Sequence, residues 1–144
     1  MQTIEQCAEG LAAGTTTSRA LVEACLSRIE EPDGEGSRAF IKVHAEQARV
    51  MADAMDALRR VGRAPSRYAG IPVSLKDLFD IAGEPTPAGS RVLADAPPAT
   101  THATVVQRML AAGFVPHSRS VLRHRRLQAH GATCADCWGA TVGA

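Results

Sequence analysis

Aromatic side chains are scarce in this chain. Three phenylalanines, one tyrosine and one tryptophan make up 3% of 144 residues. Such a composition argues against an aromatic-rich β-sandwich, and the apolar content, mostly Ala, Leu and Val, favours packed helices. An excess of one charge is also missing. Sixteen Lys and Arg stand against fifteen Asp and Glu, a net charge of +1, so bulk electrostatics point to neither a nucleic acid nor a membrane surface. The apolar runs are too short to span a bilayer. The opening MQTIEQCAEG has neither the basic nor the apolar region of a secretory leader. Four cysteines, two of them inside helical patterns, do not build a secreted disulfide framework. The expectation is a soluble, cytoplasmic chain of a length that fits one domain.

What is present reads as alternating elements. Ile4, Cys7, Ala8 and Leu11 recur at helical spacing between Thr3 and Ala13, and Gly14 stops that helix. Thr17 or Ser18 suits the cap of a second helix, about Arg19 to Ile29, with Leu21, Val22, Cys25, Leu26 and Ile29 on one face. Pro32, Gly34 and Gly36 break the chain before a short strand, Phe40 to Val43. A third helix runs from about Ala45 to Val61. Ile71 to Leu75 reads as a strand, with Pro72 at its start where a missing N–H is tolerable. A long loop from Gly83 to Pro98 follows. Thr100 or Thr101 is expected to cap a helix from about His102 to Ala112, and Phe114-Val115 opens another strand. The order predicts an α/β fold, helices packed on a fragment of a mixed sheet. Strands are too few to complete a sheet, which leaves edges the chain does not pair by itself.

Composition changes near Pro116. Arg119, Arg123, Arg125 and Arg126 cluster with His117, His124 and His130, and apolar periodicity fades. Residues 1–116 therefore read as the body and 117–144 as a basic tail. Cys134 and Cys137, with His124 and His130, offer N and S donors for zinc, but their spacing matches no standard finger. The arginines could meet a phosphate backbone, although a solvated basic tail is the commoner outcome. No metal and no cofactor is expected.

Several segments resemble one family. Thr17-Ser18-Arg19-Ala-Leu-Val-Glu-Ala-Cys25 is similar to a helix near the start of amidase-signature enzymes. Gly70-Ile-Pro-Val-Ser-Leu-Lys-Asp77 resembles their "GIPVSIKD" strand, and Thr86-Pro-Ala-Gly-Ser90 the "T-x-x-GS" that follows it. Thr104 to Gly113 resembles their next helix. The likeness is collinear from about Ile4 to Val115. It implies the N-terminal portion of the amidase-signature fold, found in bacterial amidases, fatty acid amide hydrolases and the A subunit of the aminoacyl-tRNA amidotransferase. The implied reaction is hydrolysis of a small-molecule carboxylic amide by a lysine, a serine in a cis peptide and a nucleophilic serine. Motif position assigns the lysine to Lys76. The two serines belong to glycine-rich stretches resembling "GGSSGG" and "GGSIR-x-P", and neither occurs in this sequence.

An amide is a poor electrophile with a poor leaving group, so an acyl-enzyme route needs an activated oxygen, a proton shuttle and donors for the oxyanion. Lys76 is the candidate shuttle. Ser74 shares its face of the strand, two residues away, but lies in no glycine-rich elbow. Ser90 follows Gly89 in a loop. Asp77 and Asp80 are expected to cap or pair near the strand end. A base without a nucleophile hydrolyses nothing, so the chain is expected to be inactive.

The tail has a further reading. Back-translated and read one base later, residues from Pro116 onward permit Arg-Ile-Pro-Ala-Ala-Phe-Cys-Gly-Ile-Val and then Gly-Phe-Lys-Pro-Thr, which resembles the family segment after the nucleophile. The expectation is a gene that lost the serine-bearing stretch and rejoined out of frame. Competing expectations are a small binding module with a zinc- or nucleic-acid-binding tail, and a partner of an intact amidase. No membrane partner is expected, nucleic acid is disfavoured, and the N-terminal helices offer a route to self-association.

Overall fold

The computed structural model describes residues 2–120. Helices α1 (Ile4–Ala13) and α2 (Ser18–Ile29) are followed by a one-turn helix α3 (Gly36–Ala39) and strand β1 (Phe40–Val43). Helix α4 (Ala45–Arg60), strand β2 (Pro72–Lys76), helix α5 (Thr104–Ala111) and strand β3 (Val115–Ser120) complete the order. The sheet runs β1-β3-β2, with β2 parallel and β1 antiparallel to β3. It is therefore mixed, and its central strand is the last one in sequence. The edges of β3 are both paired within the chain, which corrects the expectation for that strand. The outer sides of β1 and β2 pair with no further strand among the described residues.

The helix starts follow from side-chain chemistry. Thr3 accepts from the Gln6 N–H while Gln6 Oε1 accepts from the Thr3 N–H, a reciprocal box that satisfies orphan donors of α1. Thr17 caps α2 through the Ala20 N–H at 3.1 Å. Asp56 of α4 adds a long-range cap, its carboxylate accepting from Ser18 N–H at 2.8 Å and Arg19 N–H at 3.0 Å. Helix α5 departs from the expectation. Its N-cap is Ala103, with no side-chain cap, and Thr100 and Thr101 lie outside it. The Ala103 N–H instead donates to the Asp80 carbonyl at 2.9 Å, so a distant backbone group fixes the entry. The Gly36 end of the expected break is itself helical, as α3.

Two apolar clusters hold the layers together. Val22 and Leu26 of α2 meet Ala48 and Ala52 of α4 over Val115 of β3, with Met51 and Met55 at the margin. Alanines four apart put a flat stripe on α4 and let it lie close to both partners. Cys7, Ala8 and Leu11 of α1 pack on Ile71, where Tyr68 and Phe114 stack with ring centroids 6.2 Å apart. Outside, Glu23 takes Arg19 at 2.8 Å and Arg49 at 2.9 Å, an exposed link between α2 and α4. The two arginines hold its carboxyl down at about 2, with Arg49 the larger influence.

The start of β2 is a point of close approach. Gly70 has φ +93°, its N–H donates to Gly113 O at 2.8 Å, and its carbonyl accepts from Ser18 Oγ at 2.6 Å. A Cβ there would lie 2.7 Å from Ser18 Cβ. Gly70→Ala is expected to cost about 2 kcal/mol from left-handed backbone strain and overpacking. Urea titration of the variant checks this, and an unchanged midpoint would mean that α2 can yield.

Candidate functional site

Lys76 is the last residue of β2, at the carboxyl end of a strand paired parallel to β3, the end at which α/β folds place their chemistry. The strand forms because Val73 and Leu75 alternate with Ser74 and Lys76. The first pair is buried at 3% exposure each, and the second pair is half-buried. Lys76 makes no side-chain hydrogen bond or ion pair among the described residues. Ser74 sits on the same face, opposite the buried Ser118 of β3, whose hydroxyl has no partner among the described residues.

Asp77 anchors the strand end. It is 1% exposed, its N–H donates to Ser120 O at 2.9 Å, and its Oδ1 lies 2.9 Å from Arg119 Nη2. Its Oδ2 accepts from the Gly89 N–H at 3.2 Å. That bond folds the loop back, so Gly89-Ser90 is tied to the residue after Lys76. Thr86 Oγ1 donates to Asp80 at 2.7 Å and steadies the same loop. Both aspartates thus pair near the strand end, as their position suggested.

Arg119 is the group the sequence concealed. It read as one of several tail arginines, yet it is 2% exposed within β3. Besides Asp77 it reaches Glu84 Oε2 and Pro85 O, each at 3.2 Å. Strand β3 carries the chain past Pro116 through Ser120, and His117, Ser118 and Arg119 are all buried. Lys42 of β1 lies directly opposite Arg119, a repulsive pairing that Glu84 bridges by also accepting from Lys42 Nζ at 2.6 Å. Burial pulls the Glu84 carboxyl up, but Lys42 and Arg119 outweigh it and hold the pKa below its ordinary value. His44 Nε2 stands 3.5 Å from Glu84, and burial keeps that imidazole's pKa low. His117 is fully buried, touches Phe40 edge-on, and has no hydrogen-bond partner on either ring nitrogen among the described residues. Burial, with some help from His44, pushes it down to about 4.

No group of three or more His, Cys, Asp or Glu is placed to hold a metal among the described residues. Cys134, Cys137, His124 and His130, the alternative zinc donors, lie outside the described residues. No helix among the described residues is long and apolar enough to cross a membrane.

The family follows from comparison with known proteins. The Amidase family model matches residues 20–132, and the chain belongs to that family. It is 44% identical over 113 residues to the A subunit of glutamyl-tRNA(Gln) amidotransferase from Chloroflexus aggregans, covering 78% of this chain and 23% of that protein. It is 43% identical over 115 residues to the AtzE subunit of 1-carboxybiuret hydrolase from a Pseudomonas strain, covering 80% of this chain and 25% of the other. Among solved structures, the peptide amidase of Stenotrophomonas maltophilia superposes with a TM-score of 0.72 at 32% identity, over 83% of this chain and 24% of its own. The chain thus spans about a quarter of the length of these relatives, and the expected α/β fragment is the one observed.

Proposed function

We propose that this chain is the lysine-bearing N-terminal portion of an amidase-type hydrolase and is inactive by itself. The parent reaction is hydrolysis of a small carboxylic amide in the cytoplasm, with Lys76 as the proton shuttle between two serines. The observation that carries the reading is the placement of Lys76. It ends a parallel strand, half-buried and without a side-chain partner among the described residues, beside a loop that Asp77 draws in through Gly89. A shuttle must be free to exchange a proton with a neighbouring hydroxyl, and a lysine held in an ion pair is not. Neither glycine-rich serine stretch occurs in the sequence, so the acyl-accepting oxygen is missing. Residues after about Pro116 are proposed to be the product of an out-of-frame junction, which sequencing of the gene across that region tests.

Activity is tested with a fluorophosphonate probe and a panel of aliphatic and aromatic primary amides. No labelling and no hydrolysis above buffer is expected. Labelling that disappears on replacing one serine, Ser74 or Ser90, would identify a nucleophile and overturn the assignment of inactivity.

A further inference from the structure

His44 and His117 stand where β1 joins the sheet. The Phe40 ring of β1 lies edge-on over the fully buried His117, with centroids 6.2 Å apart. The His117 carbonyl accepts from the His44 N–H at 2.8 Å. Neither ring nitrogen of His117, nor His44 Nε2, has a hydrogen-bond partner among the described residues. An imidazolium carries a full charge and two donors, so one buried without acceptors is strongly disfavoured. The surrounding charges give no relief. Lys42 of β1 and Arg119 of β3 are cations, and both already engage Glu84, at 2.6 and 3.2 Å. His44 Nε2 stands 3.5 Å from that same carboxylate. Asp77 is taken by Arg119. Helices α2 and α4 meet β3 through Val22, Leu26, Ala48 and Ala52, a face without charge. A proton on His117 thus finds no acceptor inside the sheet, whereas water lies just beyond β1.

Strand β1 also has little to hold it. Phe40 is half-buried, while Ile41, Lys42 and Val43 are exposed. Its ladder with β3 is irregular between Phe40 and Lys42. Sparse apolar burial and a broken ladder are the marks of a segment that opens locally. Helices α2 and α4 pack directly on each other, so residues 36–44 can leave without parting them.

We propose that His117, with His44 beside it, is an acid-sensitive latch: protonation of His117 displaces β1 from β3 and leaves the rest of the fold assembled. Burial holds His117 at about 4 in the closed sheet and lowers His44 as well. An imidazole released to water returns to about 6.5. Between those values the open form binds the proton and the closed form does not. Opening is therefore favoured as pH falls, by about twentyfold from pH 7 to pH 5 for one histidine. Lys42 and His44 leave Glu84 with β1, and Glu84 keeps Arg119.

The test is amide hydrogen exchange on the full chain at pH 7 and pH 5, corrected for the intrinsic exchange rate. Protection of residues 40–44 should fall by about twentyfold, while the amides of α2 and α4 keep theirs. His117→Leu should shrink the fall to about threefold or less, and His44→Gln should keep most of it. Unchanged protection of residues 40–44 at pH 5 overturns the latch. A fall shared equally by α2 and α4 overturns it too, because the whole fold is then what opens. An undiminished fall in His117→Leu assigns the effect to the carboxylates and overturns the role of His117. The histidine ring resonances of the unsubstituted chain give a check that needs no variant. A His117 ring that titrates near its ordinary pKa while residues 40–44 stay protected would mean that the charge is accommodated in place, and the latch would fall.

Discussion

Arg119→Met is expected to destabilise the folded chain by about 3–5 kcal/mol, the cost of stranding a buried carboxylate without its cation. Asp77 is 1% exposed and Arg119 3% by side chain, so water reaches neither. Removing the guanidinium also withdraws its hold on Glu84, Pro85 and Phe79, which frees the loop that Asp77 gathers. The companion variant separates charge from shape. Asp77→Asn together with Arg119→Met removes both charges, keeps an acceptor for Gly89, and should recover at least half of the loss. Urea unfolding of the three proteins decides it. A single-variant loss below about 1 kcal/mol, the range of solvated surface pairs, would mean that the pair is wet and the loop is held by something else.

Acid is expected to weaken the fold well above the range where carboxylates protonate. His117 is neutral in the folded chain because burial lowers its pKa to about 4, against an unfolded value near 6.5. Between those limits the unfolded chain binds the extra proton, so stability falls as pH falls from about 6.5 towards 4. The loss amounts to about 3 kcal/mol by linkage. His44, lowered by burial, acts in the same direction. Glu84, whose pKa is lowered, adds its own loss only as pH falls through the acidic range below. Urea midpoints at pH 7, 5.5 and 4 should therefore drop steadily in the native sequence and far less in His117→Leu. An equal slope in both proteins would assign the effect to the carboxylates.

Much of the fold was legible because it obeys local rules. The stripe on α2, the Thr17 cap and the Ser-Lys alternation of β2 each depend on residues a turn or two apart. What escaped was non-local. Ala103 starts α5 because Asp80, far back in the chain, accepts its N–H. Arg119 looked like a surface cation because Asp77 and Glu84 lie 42 and 35 positions away in sequence. The site divides in the same way. Lys76 could be singled out from its motif, whereas the clamp behind it required the pairing of β3. His117 gave no signal at all, since a histidine among arginines reads as solvated until the strand around it is seen to be buried.

One irregularity in the ladder decides which way the charges face. Pro116 stands opposite Val73, but Ser118 stands opposite Ser74, so His117 is an extra residue in β3. That single insertion changes the parity of everything after it. With it, Arg119 lies alongside Leu75 and reaches the next residue on that face, Asp77. Without it, Arg119 would lie alongside Lys76, two cations would share one side of the sheet, and Asp77 would be buried alone. The length of β3, counted to the residue, thus decides whether the buried guanidinium meets the carboxylate of Asp77 or the ammonium of Lys76.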